Sequence, residues 1–199
     1  MSEERLMQSD SSDEDLIASF QKGNESAFYA IVSKFKNPLT NYVFRFVGNY
    51  DDAQDIVQET FIRVYKNRNA YRPVAKFSTW LYTISGNLAR THLRRKKTAA
   101  MFSIFRRAGD DRVGEREIPD SRYNADKEVE QSFRAEAVQK ALASLDIIHR
   151  EIIVLSDIQE LSYEEICEIT GLKMGTVKSR LNRARAQLRE LLKDIASDL

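Results

Sequence analysis

Apolar residues recur along this chain every three to four positions and almost nowhere every two, which is the spacing of helices with one buried face. From Asp13, the residues Leu16, Phe20, Ala27, Phe28, Ile31, Val32 and Phe35 keep that period, interrupted by KGN at residues 22–24, so two helices are predicted there. Pro38 is read as opening the next helix, in which Leu39, Tyr42, Val43, Phe46 and Val47 are apolar until Gly48 and Asn49 stop it. Asp51 is the capping candidate for a fourth, with Ile56, Val57, Phe61, Val64 and Tyr65 inside. After a break at Arg72 and Pro73, a further helix is predicted from about Ser78 to Arg95.

Between Thr98 and Glu130 the period lapses, and RRAGDDRVGEREIPDSRYNADKE has the composition of a linker. Its start differs. Met101 to Phe105, MFSIF, is too apolar for a solvated tether, and either packs back on the first domain or is covered by a partner. Past Glu130, Phe133, Val138, Leu142 and Leu145 predict one helix, and Ile148, Ile152 and Leu155 another. The expected fold class is all-α: two small helical domains, residues 10–97 and 131–195, joined by a flexible linker over 98–130. Fully extended, such a linker would reach about 110 Å, enough for the two domains to touch separate sites on DNA.

The C-terminal stretch LSYEEICEITGLKMGTVKSRLNRARAQLRELL carries the most specific pattern. Ser162 and Glu165 form the capping box S-x-x-E, in which each side chain reaches the other's backbone N–H. Tyr163, Ile166, Cys167 and Thr170 share one face of the helix that follows, and Gly171 stands where a left-handed residue ends it. From Thr176 a second helix places Val177, Leu181, Ala184, Leu188 and Leu191 on one stripe. Its other faces are basic: the seventeen residues from Lys173 to Arg189 contain no acid. A solvated helix ordinarily mixes signs for i,i+4 pairing, so this is the pattern of a helix-turn-helix whose second helix enters a DNA groove, and the chain is expected to bind DNA.

Composition narrows the rest. Only 7 Gly and 3 Pro among 199 residues, with 31% charged, favour helices over turn-rich sheets. The N-terminus, MSEERLMQSDSSDEDL, is acidic where a signal peptide would be basic and then apolar, and no apolar run approaches a membrane span, so a cytoplasmic protein is expected. With one cysteine, Cys167, and two separated histidines, no disulfide and no metal cluster is expected. Without G-x-x-x-x-G-K, H-E-x-x-H or a histidine beside a plausible nucleophile, the chain is not read as an enzyme, and no cofactor is implied.

The net charge of +1 hides strong local fields. Met1 to Ser33 has seven acids and two bases, Lys76 to Lys97 has six bases and no acid, and Asp146 to Thr170 has seven acids and one arginine. Local fields, not the total, steer a polyanion. In KFSTWLYTISGNLARTHLRRKK the aromatics Phe77, Trp80 and Tyr82 stand among the hydroxyls Ser78, Thr79 and Thr83, followed by Arg90, Arg94, Arg95, Lys96 and Lys97. Stacking faces and a basic track are what unpaired DNA requires, and an amide such as Asn87 can read an exposed base. Trp80, Leu81, Ile84 and Leu88 also hold helical spacing, which favours a core position for Trp80.

Taken in order, DEDLIASFQKGNESAFYAIVSKF, DDAQDIVQETFIRVYKN, KFSTWLYTISGNLARTHLRR, a linker and the C-terminal helix-turn-helix resemble a group IV sigma factor of bacterial RNA polymerase, the extracytoplasmic-function (ECF) type. The resemblance runs from about Asp13 to Leu192. It implies that residues 10–97 form a sigma-2-like domain, whose DIVQETFIRVY helix binds core RNA polymerase through Asp55, Gln58, Glu59 and Arg63. It implies that Lys76, Ser78, Thr79, Asn87, Arg90, Arg94 and Arg95 engage the promoter's minus-ten element during melting, with Asn87 holding an extruded base. Residues 131–195 would be the sigma-4-like domain, reading the minus-35 element through Thr176, Lys178, Ser179, Arg180, Asn182 and Arg183. Implied partners are core RNA polymerase, promoter DNA and an anti-sigma factor. The chain departs from the family's pattern at MFSIF and at Gly86, which sits one residue before Asn87 and would loosen the helix there.

Overall fold

The computed structural model describes residues 12–107 and 126–197. Those residues form eight helices: α1 (Asp13–Gln21), α2 (Glu25–Val47), α3 (Tyr50–Lys66), α4 (Phe77–Arg107), α5 (Asp126–Ser144), α6 (Ile147–Ile153), α7 (Tyr163–Thr170) and α8 (Met174–Ser197). A short 3-10 turn at Arg68–Ala70 precedes α4, and α6 runs into a wider turn at Val154–Ile158, where the Gln159 N–H bonds the Val154 carbonyl. No strand occurs among the described residues, and none of their helices is long and apolar enough to cross a membrane.

Several boundaries differ from the sequence-based expectation. Pro38 does not open a helix; it lies inside α2. Ile31, Phe35, Leu39, Tyr42, Val43 and Phe46 are all buried, so one apolar stripe keeps its phase across the proline. A proline inside a helix costs about 3 kcal/mol, which burial of six large side chains at about 1.5–3 kcal/mol each outweighs. Pro38 itself faces solvent, away from that stripe. The cap of α3 is Asn49, whose side chain accepts the Asp52 N–H at 2.8 Å, rather than Asp51. The helix expected to stop near Arg95 continues to Arg107, so Met101–Phe105 belongs to α4, and α5 starts at Asp126. Most of the expected linker lies outside the described residues.

The N-terminal helices α1–α4 enclose Phe20, Ile31, Leu39, Phe46, Phe77 and Leu81, all fully buried. Tyr71 packs edge-on against Phe77 at 5.3 Å, and Phe77 edge-on against Phe35 at 5.9 Å, which fixes the entry to α4. Glu14 of α1 completes that entry by accepting the Phe77 N–H at 3.1 Å. The C-terminal helices α5–α8 bury Leu142, Ile152, Leu155, Ile166, Val177 and Leu181.

The two halves are not held apart. Their buried residues form one continuous core, and α7 lies against α4. Arg150 of α6 donates to the Phe46 carbonyl at the end of α2 and to the Ala143 and Leu145 carbonyls of its own half. Arg45 and Gln139 exchange two further bonds across the same seam, at 3.3 Å each.

Candidate nucleic-acid interface

The helix-turn-helix forms as the sequence dictates. Ser162 accepts the Glu165 N–H at 3.2 Å, and Glu165 accepts the Ser162 N–H at 2.8 Å. Gly171 then ends α7 at φ +70°, a conformation that L side chains rarely adopt. The second helix starts at Met174, two residues earlier than expected, and buries Val177, Leu181 and Ala184 while Leu188 and Leu191 pack at the edge of the core.

With that stripe turned inward, Lys178, Ser179, Asn182 and Arg183 are exposed and Thr176 and Arg180 are half-exposed. All six expected minus-35 residues therefore occupy the outward surface of one helix. Ser179 is steadied by donating to the Thr176 carbonyl at 3.1 Å, and Lys178 stands 5.9 Å from the Tyr163 ring centre. Arg185 belongs to the same basic run but is otherwise engaged. Its Nε and Nη2 donate to the two Asp157 carboxylate oxygens at 2.9 and 2.6 Å. Although partial burial works against ionisation, this fork holds the Asp157 carboxyl below its ordinary value.

The second basic stretch lies along α4. Asn87, Arg94 and Arg95 are exposed, and Ser78 is half-exposed. Arg90 donates to the Asn87 side-chain oxygen at 2.6 Å and is paired with Glu151 of α6. Lys76 is paired with Glu165 of α7 at 2.9 Å. Thr79 is only 4% exposed, its carbonyl accepting from Thr83. Of the aromatics, Phe77 and Tyr82 are buried, and the Tyr82 hydroxyl, pushed up to about 12 by burial, donates to Gln159. Trp80 packs beside Tyr71 and Phe77 at 5.6 and 5.9 Å, the core position that its spacing favoured.

Gly86 has a use that sequence reasoning did not reach. A Cβ there would stand 2.9 Å from the Tyr42 hydroxyl and 3.1 Å from the Glu151 carboxylate, so glycine allows close approach of α2 and α6 rather than loosening α4. Glu151 was equally out of reach, because its partners Arg90 and Tyr42 are 61 and 109 residues away.

The third expected site lies on α3. Asp55, Gln58 and Arg63 are exposed and Glu59 is half-exposed, with Arg63 Nε donating to Glu59 at 2.8 Å. Asp55 and Gln58 also rim a groove of about 590 Å³ between α2 and α3, lined by Phe28, Val32, Phe61, Ile62 and Tyr65. A polar rim around an apolar floor is the anatomy of a protein interface. Phe61 is both a core residue, 7% exposed, and part of the groove floor, while Phe28 and Val32 are partly buried beside it, since the same helical spacing serves a core and a groove wall.

Comparison with known proteins bears on the family and the fold. The Sigma-70 region 2 family matches residues 31–99, and the Sigma-70 region 4 family matches residues 135–188. ECF RNA polymerase sigma factor SigW of Bacillus subtilis (strain 168) is 34% identical over 179 residues, covering 90% of this chain and 96% of its own length. ECF RNA polymerase sigma-E factor of Escherichia coli (strain K12) is 32% identical over 177 residues, covering 87% and 90%. Among solved structures, CnrH in complex with the cytosolic domain of CnrY superposes with a TM-score of 0.69 at 26% identity, covering 92% of this chain and 99% of that one. The sigma factor RpoE of Bartonella quintana, in complex with the anti-sigma factor NepR, gives 0.65 at 26% identity, covering 83% and 96%. Fold, the order of the two matched regions and similarity over nearly the full length agree, and the chain belongs to the ECF RNA polymerase sigma factors, which serve in transcription initiation.

Proposed function

We propose that this chain docks on core RNA polymerase through α3, reads the minus-35 element as closed duplex with α8, and captures the opened minus-ten strand with α4, all in the cytoplasm. The observation that carries the reading is the outward basic surface of α8, six polar or basic side chains on the face opposite Val177, Leu181 and Ala184. A helix presented in this way fits the major groove, where bidentate arginine contacts discriminate bases.

Strand capture is assigned to Ser78, Asn87, Arg94 and Arg95, which reach solvent on α4, with Lys76, Thr79 and Arg90 joining once the C-terminal half moves off them. Unstacking costs a few kcal/mol per base and is offset by holding bases outside the stack. Docking on polymerase is assigned to Asp55, Gln58, Glu59 and Arg63 at the rim of the α2–α3 groove. The chain supplies no catalytic group in this account; bond formation is left to the polymerase. Control by an anti-sigma factor is proposed from the similar sigma factor RpoE, whose structure holds the anti-sigma factor NepR.

The assignment of Asn87 is tested by permanganate reactivity of unpaired thymines. Asn87→Ala should leave recruitment to closed promoter almost unchanged and reduce opening, with partial rescue on a template already mismatched across the minus-ten element. Full opening of duplex promoter by Asn87→Ala would make that residue an ordinary surface amide.

A further inference from the structure

Three of the residues expected to meet the minus-ten strand are engaged rather than free: Lys76 and Arg90 are ion-paired with acids of the other half of the chain, the Lys76 side chain staying 70% exposed, and Thr79 is buried. Lys76 is held by Glu165 of α7, Arg90 by Glu151 of α6, and Thr79 is buried where the segment Pro73–Lys76 faces Glu164, Glu165 and Glu168. Both basic side chains already hold a carboxylate partner that a phosphate would have to displace. The centre of the seam is fitted closely: Glu151 is 3% exposed, accepts from Arg90 and from the Tyr42 hydroxyl, and rests against the bare backbone of Gly86. Tyr82 to Gln159 at 2.8 Å and Arg150 to the Phe46 carbonyl at 3.0 Å close its flanks. A buried carboxylate with three fitted neighbours marks a defined docked state, since a misplaced charge in such a seam costs several kcal/mol.

We infer that the C-terminal half is an intramolecular competitor of single-stranded DNA, latched on α4 by Glu151 in the notch at Gly86, so that the free chain is closed to the minus-ten strand until the latch opens. This rests on the reading of α4 as the strand-capturing helix. The minus-35 surface of α8 stays exposed in the closed state, so the two DNA sites differ in availability before polymerase is engaged. If closed chains outnumber open ones by about ten to one, apparent affinity for a single strand is depressed about tenfold, and release of the latch restores it.

Two variants open the latch by different means. Gly86→Ala places a methyl group against Glu151 and Tyr42 without changing charge, and favours the helical state of α4, so loss of docking is distinguishable from unfolding by helical content. Glu151→Gln removes the charge that holds Arg90 and keeps the shape. In the full chain, a zero-length carbodiimide should join Lys76 to Glu165 across the seam. Lys34 and Asp13, 2.5 Å apart within the N-terminal half, report the yield of the same reaction. Both variants should lower the Lys76–Glu165 product at least about fivefold, leave Lys34–Asp13 unchanged, and raise binding of a fluorescent random-sequence single-stranded 20-mer by a similar factor.

Absence of the Lys76–Glu165 product in the unmodified chain, or an unchanged yield in both variants, overturns the latch. A lost product without tighter binding of the 20-mer overturns the competitive role. The cross-link does not depend on any DNA assignment, whereas run-off transcription with core polymerase tests the sigma reading separately, so failure of one is not mistaken for failure of the other.

Discussion

Arg183 and Arg185 are two residues apart in the same acid-free run, yet the structure gives them different work. Arg183 is exposed and makes no ion pair among the described residues, while Arg185 forks onto Asp157. Each phosphate contact contributes a slope of about 0.9 in the logarithm of affinity against the logarithm of salt, so removing one contact changes the salt response about 3.5-fold between 50 and 200 mM. Arg183→Gln in the holoenzyme should lower the slope by that amount on a promoter selected from a genomic library, and should cost a further 1–3 kcal/mol or so if its guanidinium reaches a base edge. The double change Arg185→Gln with Asp157→Asn, which removes both charges together, should leave the slope unchanged. Its effect belongs to stability, and with side chains 43% and 34% exposed the pair is worth less than about 1 kcal/mol. Fluorescence anisotropy across a salt series and thermal unfolding separate the two outcomes. An equal fall in slope for both variants would refute the division of labour.

Charge reversal of Asp55 and Glu59, both outside the core, should abolish co-purification with core polymerase and leave helical content unchanged; retained full transcription would displace the docking surface from α3. Leu181→Ala empties a site 1% exposed beneath the recognition surface and should cost about 2–5 kcal/mol, read as a lower denaturation midpoint. Partial burial of the Asp52 carboxyl works against ionisation, but its hydrogen bond to Lys96 and the charges of His92 and Lys96 hold it below its ordinary value. A depressed folded value stabilises above the unfolded one and is lost as pH falls through the folded one, so the stability gap between Asp52→Asn and the unmodified chain should be fully open at neutral pH and close as pH falls below the ordinary carboxyl value of 3.8.

What could be read from the sequence was what local chemistry decides. The Ser162–Glu165 box, the stop at Gly171 and the stripe of Val177, Leu181 and Ala184 depend on neighbours a few residues away, and they appear as expected. Pro38 is a local breaker signal, and the tertiary burial of Leu39 and Tyr42 overrides it. Asn49 and Asp51 are both capping residue types, and only the backbone decides between them. Thr79 carries the same hydroxyl as a DNA-facing residue would, and its burial follows from a fold-level neighbour. The fit of Glu151 to Gly86, Arg90 and Tyr42 joins helices distant in sequence, and no periodicity encodes it.

The central claim is that this chain directs core RNA polymerase to promoters, and run-off transcription tests it most directly. Core enzyme is given a genomic promoter library with the unmodified chain, with Arg180→Ala and Arg183→Ala together, or with no added chain. The account predicts discrete transcripts only where the unmodified chain is present, with the promoter set lost or altered by the double substitution. Transcripts identical with and without the chain would contradict it.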